Sequence, residues 1–380
     1  MKDLIIIKRK QNLLINSLTN CGKNFYDLKV SGYLSPIGWH IIHCLYIECV
    51  WIRKIFLNNT LLLNKLKRIG DSINIPIKNR GTNLPSFDVI LNCCKKEFKI
   101  NLDLIDSILE KKKIKHSYDI TYILKFLINH HSQHLETIKS ILNIIQLKKS
   151  DYLESNFKLI SPAVFKFDPL IIKEGNYKYG NQDGAFSYDN EKPINEVNIN
   201  TFSIAKNLIT VSQWLGFIIE EGYYRKELWD AKGWLWKNKK NVSKPLNWVF
   251  LNDKLSLCTP NGYKKPKGNE PVIHISLYEL EAFAKWKGLK IPHEIQWEIA
   301  SKKLTNINLV WEWCSNKFYP YKGFIAYPYN EYSKPWFNKN YITLRGSSIY
   351  SEKDIKRSTF RNFYKPSTRY IFSGGRLSSN

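Results

Sequence analysis

The chain has 380 residues, 43% of them hydrophobic, with 12 Trp, 22 Tyr and 19 Phe, an apolar mass that excludes a disordered protein. This length exceeds one ordinary core and suits two domains, while 15 Pro and 18 Gly exclude a fibrous or low-complexity chain. Fifty-eight Lys and Arg against 33 Asp and Glu give a net charge of +25, a field that attracts polyanions. The lysines are nevertheless spread along the chain, and the runs are short: Lys95-Lys96, Lys111 to Lys113, and Lys237 with Lys239-Lys240. The expectation is a solvated basic surface in a chain rich in Asn, Ile and Lys, with a nucleic-acid site as the lesser alternative.

At the N-terminus the apolar run Leu4–Ile7 is too short for a signal peptide. No stretch approaches the roughly 20 apolar residues of a membrane helix. A cytoplasmic protein without a membrane partner is expected. Residues 1–150 read as helical. Apolar residues recur at three and four spacings through Trp39–Leu57, Leu102–Leu109 and Ile120–Leu147, which predicts a four-helix bundle.

After about Lys149 the texture changes: Trp, Tyr, Gly and Pro become frequent and turn signals multiply. A linker is expected between roughly Leu147 and Ala163, with a second domain over 160–380. That domain reads as short strands and long ordered loops, with helices over Ser212–Glu221, Leu277–Lys287 and Glu294–Ser301. Seven cysteines (Cys21, Cys44, Cys49, Cys93, Cys94, Cys258 and Cys314), an odd number without a CxxC pair, suit neither a disulfide framework nor a zinc knuckle.

Five of only eight histidines fall in two helical segments of the first domain. In His130-His131-Ser132-Gln133-His134-Leu135-Glu136, His130 and His134 stand at i and i+4 and project from one helix face. Trp39-His40-Ile41-Ile42-His43 offers one more imidazole, from either His40 or His43. Three neutral imidazoles suit Fe(II), Zn or Cu, and three ligands from one side leave open positions that point to catalysis. The plain alternative is a set of satisfied core or capping histidines. Glu136, two residues past His134, is expected to point away from the ligand face, as a supporting or helix-surface residue.

Ser35-Pro36-Ile37-Gly38-Trp39-His40-Ile41-Ile42-His43 followed by the His-x-x-x-His-x-Glu of 130–136 resembles the DinB-like helical domain of the hercynine oxygenases. These are the non-haem iron sulfoxide synthases of ergothioneine biosynthesis. The second domain resembles the formylglycine-generating-enzyme (sulfatase-modifying-factor) fold, an α+β variant of the C-type-lectin topology. The stretches that carry this likeness include Phe186 to Pro193, Glu221 to Trp229, Lys232 to Trp234, Pro271 to Ser276 and Ile291 to Glu298. Further on they include Val310 to Trp313, Leu344 to Ser348, Phe360 to Phe363 and Ser373 to Leu377.

The resemblance implies an Fe(II) enzyme that uses O2 to join a thiol sulfur, from cysteine or γ-glutamylcysteine, to the imidazole C2 of a histidine betaine as a sulfoxide. It implies His43, His130 and His134 as iron ligands, with His40 a bystander. It implies Gln133, Asn362 and Phe363 at the betaine, where an aromatic face can hold a quaternary cation. Core packing is the other reading of Phe363. A tyrosine is implied as donor of a proton or hydrogen atom, and the turn Tyr327-Pro328-Tyr329-Asn330-Glu331-Tyr332 supplies Tyr327, then Tyr329, as candidates. Arg80 stands where the family has a donor-binding arginine, the alternative being a solvent-exposed loop arginine.

The chain departs from one branch of the family at the residues that grip γ-glutamylcysteine. Tyr364 and Thr368 occupy the places of its Asp and Arg, and neither can act as a carboxylate or fork onto one. A selenol donor, as in the related selenoneine synthases, is therefore an alternative. So is a non-catalytic lectin-like binding module. The copper chemistry of formylglycine-generating enzymes needs a cysteine pair, and the chain has no cysteine after Cys314. An ovothiol-type synthase usually carries a methyltransferase domain, for which no residues remain.

Overall fold

Apolar residues at helical spacing close four long segments of the N-terminal unit. The computed structural model describes residues 2–110, 118–149, 154–181 and 186–379, so the run Lys111 to Lys113 lies outside the described residues. The chain separates into two compact units: Met1–Ile145 with Glu352–Ile355, and Gln146–Ser351 with Lys356–Asn380. Among the described residues no helix is long and apolar enough to cross a membrane.

In the first unit α1 spans Lys2–Cys21, α2 Ile37–Glu48, α3 Leu61–Gly70, α4 Phe87–Glu110 and α5 Ile120–Lys148. Pro36, extended at φ −62° and ψ 157°, precedes α2 and has no N–H to lose there. Directly after Glu48 the helix widens into a π-helical stretch, Cys49–Phe56. The four long helical segments are thus α1, α2 with its π extension, α4 and α5, with α3 as a short fifth helix. Their contacting faces hold Ile7, Leu14 and Leu18 of α1, Ile41 and Leu45 of α2, Phe98 and Ile105 of α4, and Phe126, Leu127 and Ile138 of α5, all nearly solvent-free.

The second unit is β-rich. A hairpin-like pair of β2 (Gly175–Tyr179) and β3 (Asn195–Ile199) follows β1 (Pro169–Ile172), which pairs with β4 (Phe202–Ala205). Helices α6 (Val211–Ile219) and α7 (Ala231–Lys239) come next, then a meander of β5 (Trp248–Leu251), β6 (Lys254–Thr259) and β7 (Gly262–Lys264). Helices α8 (Leu277–Trp286) and α9 (Glu294–Ala300) precede β8 (Trp311–Lys317), β9 (Ile342–Arg345), β10 (Asn362–Tyr364), β11 (Ser373–Gly374) and β12 (Ser378–Ser379).

The sheet that matters most for the site residues runs β10-β9-β8-β11, with Asn362 opposite Leu344 and Phe363 opposite Thr343. The order β1-β4-β12 makes a second sheet. Capping boxes set three helix starts: Thr210 with Gln213, Ser276 with Glu279, and His293 with Gln296. Helix α7 corrects the expectation of loop structure there. Asp230 accepts from the Gly233 N–H and caps it, while Lys237 is buried, its ammonium 4.4 Å from the Trp234 ring centre. Polar residues at helical spacing hid this helix, because its stability comes from the cap and from packing.

Candidate metal centre

Helix α2 carries His43 and α5 carries His130 and His134, and the three rings turn toward one point. His130 Nε2 lies 3.3 Å from His43 Nε2 and 3.2 Å from His134 Nε2. A ligating atom from each of the three lies within 4.8 Å of the others. His40, one turn earlier on α2, stands outside this set of three, with its Nδ1 2.8 Å from His134 Nδ1.

The outer nitrogens are all engaged. His43 Nδ1 donates to the Gly70 carbonyl at 2.6 Å, which leaves His43 Nε2 as a bare lone pair facing inward. Trp39 stacks on the same ring at 4.7 Å, 9° from parallel. His130 Nδ1 lies 3.5 Å from His131 Nδ1, and His131 Nε2 lies 2.7 Å from Glu48 Oε1. Burial in the apolar bundle pulls His40 down to about 3 and His43 down to about 4. Burial first, then the neighbouring imidazoles, lowers His130 and His134 well below the usual histidine range. The cluster is therefore neutral at physiological pH, the form that binds metal.

The donor set fits a metal ion. Two ligands about 2.1 Å from one ion and at right angles stand about 3.0 Å apart, close to the spacings of the Nε2 atoms. Cys44 also lies near His130 and His131. Its thiol is pushed well above the usual range by burial and by Glu48, so it is a protonated core residue at neutral pH and a poor ligand. Glu136 is buried, which removes the helix-surface reading: α5 is covered on most of its circumference.

The other expected residues take the following places. Gln133 is half-buried on α5, between His130 and His134 in sequence. Arg80 is not an exposed loop residue. Its Nε and Nη2 donate to the carbonyls of Ile75 (3.0 Å) and Ser72 (2.7 Å), and its guanidinium lies 4.6 Å over the Trp39 ring. The chain of contacts Arg80, Trp39, His43 leads from this loop to the histidine cluster.

In the second unit, Phe363 stacks on Phe318 at 4.2 Å, with Trp336 and Tyr341 each 6.0 Å away. The residue before Asn362, Arg361, is buried and forms a double hydrogen bond to Glu294, Nε to Oε2 and Nη2 to Oε1 at 2.8 Å each. Arg345 donates to the same carboxylate at 3.2 Å. This buried group fixes the base of β10. Tyr327 and Tyr329 are half-buried; the Tyr327 N–H lies 3.4 Å from Asp189 Oδ2, and Ser333 Oγ donates to Asp189 Oδ1. Tyr364 is half-buried and Thr368 buried.

Reading the sequence missed Glu48, Gln11, Asn101 and the contacts of His131 with Glu48 and His130. Gln11 Nε2 donates to both oxygens of Glu48 at 3.0 Å, and Asn101 Nδ2 donates to Oε2 at 2.8 Å. The signal was a lone Gln and a lone Asn on apolar helix faces, and a Glu at an inward position of α2.

Comparison with known proteins agrees with this layout. Over 408 aligned positions the chain is 26% identical to the hercynine oxygenase of Mycolicibacterium smegmatis, covering 90% of this chain and 91% of that protein. It is 27% identical to the hercynine oxygenase of Mycobacterium tuberculosis over 68% of this chain and 71% of that protein. The chain is thus similar to hercynine oxygenases along most of its length. Residues 163–306 match a sulfatase-modifying factor enzyme 1-like domain. The formylglycine-generating enzyme of Thermomonospora curvata is 27% identical over 37% of the chain and 51% of its own length. The helical first unit and β-rich second unit therefore have the two-part fold that the hercynine oxygenase resemblance implied.

Proposed function

We propose that this chain is a non-haem Fe(II), O2-dependent sulfoxide synthase that joins a thiol sulfur to the imidazole C2 of hercynine. The observation that carries this reading is the convergence of three neutral imidazoles, from His43, His130 and His134, in a chain alignable with a hercynine oxygenase over nine-tenths of its length. In the overall reaction the substrate C–H and S–H bonds break and a C–S bond and an S=O bond form. One oxygen of O2 enters the sulfoxide and the other leaves as water with the two hydrogens.

Fe(II) held by the three Nε2 atoms would supply a redox centre through which electrons from the two substrates reach O2, and the Lewis acidity that deprotonates the thiol. The chain's own residues do the rest. Gln133 hydrogen-bonds the histidine betaine through its side-chain amide, and the Phe363 face takes the trimethylammonium group, which offers no hydrogen bond. Asn362 lies beside it, its Oδ1 accepting from the Phe363 N–H at 3.0 Å. Tyr327, or Tyr329 in the same turn, delivers the proton or hydrogen atom. Arg80 holds the carboxylate of the sulfur donor.

The test is anaerobic Fe(II) loading followed by air and hercynine, with cysteine, γ-glutamylcysteine and a selenol donor in parallel, read by mass spectrometry. A sulfoxide adduct with one thiol establishes the reaction and its donor. Reaction with the selenol alone moves the chain to the selenoneine-type class. Failure to bind iron at all sinks the enzyme reading and leaves a binding module.

A further inference from the structure

Each of the four long helical segments places one polar side chain in a single buried layer. Gln11 comes from α1, Glu48 from α2, Asn101 from α4 and His131 from α5, and all four are at most 2% exposed. Glu48 is the hub. It accepts from Gln11 and Asn101, and His131 Nε2 lies 2.7 Å from its Oε1. Arg53 ties the layer to its surroundings, with Nε donating to Asn101 Oδ1 at 2.6 Å and Nη2 to Glu97 Oε2 at 2.8 Å. Such a layer costs desolvation, so a stretch of apolar side chains would serve stability better. Its placement suggests what offsets that cost: His131 is adjacent in sequence to His130, and their Nδ1 atoms are 3.5 Å apart.

The hydrogen positions follow from the partners. A carboxylate accepts only, so His131 Nε2 carries a hydrogen and donates to Glu48. With that hydrogen on Nε2, the Nδ1 of His131 that faces His130 is placed to accept from Nδ1–H of His130. That assignment removes the hydrogen from His130 Nε2, the atom facing His43 and His134. We propose that His131, oriented by Glu48, is the positioning residue that holds His130 in its metal-binding tautomer. The proposal rests on the metal-centre reading above. His43 reaches the same state through a different partner, the Gly70 carbonyl. In histidine metal sites the groups behind the ligands set ring orientation and basicity, and their loss typically weakens metal affinity about 10–100-fold.

The experiment compares the full chain with His131→Phe and His131→Gln. Phenylalanine fills the space beside Phe98, whose ring centre is 6.3 Å from that of His131, but neither accepts nor donates. Glutamine retains both functions, its carbonyl accepting from His130 and its amide donating to Glu48. Co(II) is titrated into each and followed by its d–d absorption, and the metal-free proteins are examined by long-range 1H–15N NMR of the histidine rings. The expected result is a Co(II) Kd weakened about 10–100-fold in His131→Phe and restored to within about threefold in His131→Gln. The metal-free parent is expected to show His130 protonated at Nδ1, and His131→Phe to show the Nε2–H form. An Nε2–H His130 in the parent would overturn the proposal, as would equal Co(II) affinity in parent and His131→Phe, or a glutamine variant as weak as the phenylalanine one. If His131→Phe does not fold, the parent's ring spectrum and the glutamine variant still decide. A parent that binds no Co(II) refutes the metal reading, whereas the ring spectrum tests the tautomer separately.

Discussion

Removing His134 gives the sharpest quantitative test of the metal centre. A metal at 1,000 times its Kd stabilises the folded state by about 4 kcal/mol. The helical unit spans about 150 residues, for which 1 kcal/mol moves the melting temperature by about 3–4 °C, so loading should raise its transition by about 12–16 °C. Binding free energies of about 10–16 kcal/mol at four-ligand sites amount to roughly 3 kcal/mol per ligand, or about 100-fold in Kd. His134→Ala at the same metal concentration then retains about 1.4 kcal/mol, and the metal-induced shift shrinks to about 4–6 °C. Differential scanning calorimetry with and without Zn(II) or anaerobic Fe(II) measures both shifts, each variant serving as its own metal-free reference. Equal shifts in parent and His134→Ala would mean that the ion binds elsewhere, and the converging nitrogens would then be packing alone.

Three further outcomes follow from the second unit and from the Arg80 loop. Glu294→Gln leaves the buried guanidinium groups of Arg345 and Arg361 short of a counter-charge, and should cost about 3–5 kcal/mol, with calorimetry of the β-rich unit as the check. A loss below about 1 kcal/mol would contradict that account. Burial raises the Asp189 carboxyl from 3.8 to about 6, so its protonated form is favoured by folding. Its contribution is present below about pH 4 and lost as pH rises through about 6, a swing of about 3 kcal/mol that Asp189→Asn should abolish. Urea midpoints of both proteins across pH 4–8 read this, and a constant difference between them would rule it out. Gly81→Ala should destabilise by about 1–3 kcal/mol, because φ is +94° and the added methyl would meet Pro36 Cγ at 2.5 Å, just before the helix that carries His43. Urea denaturation checks this, and a midpoint equal to the parent's would show that the loop yields without cost.

Much of the centre was legible in the chain itself. His130 and His134 must share a face because helical periodicity fixes an i,i+4 pair, and His43 lies on the helix that Trp39–Leu57 spacing already announced. The texture change near Lys149 marked where long helices give way to strands. Local patterning decides such features because it acts over a few residues. It could not decide between His40 and His43, since both face into the bundle and only the rotation of α2 against α5 brings His43 to His130 and His40 behind His134. Nor could it find the layer of Gln11, Glu48, Asn101 and His131, whose members are separated by up to 120 positions and meet only because four helices pack at one level. The same holds for Glu294, Arg345 and Arg361, where buried charges persist only as a mutually satisfied group. Residue types and spacing determined which side chains could bind a metal. The tertiary packing decided which nitrogen of each ring faces inward, because the partner behind each ring, as the Gly70 carbonyl behind His43, fixes its orientation and holds the hydrogen on the outer nitrogen.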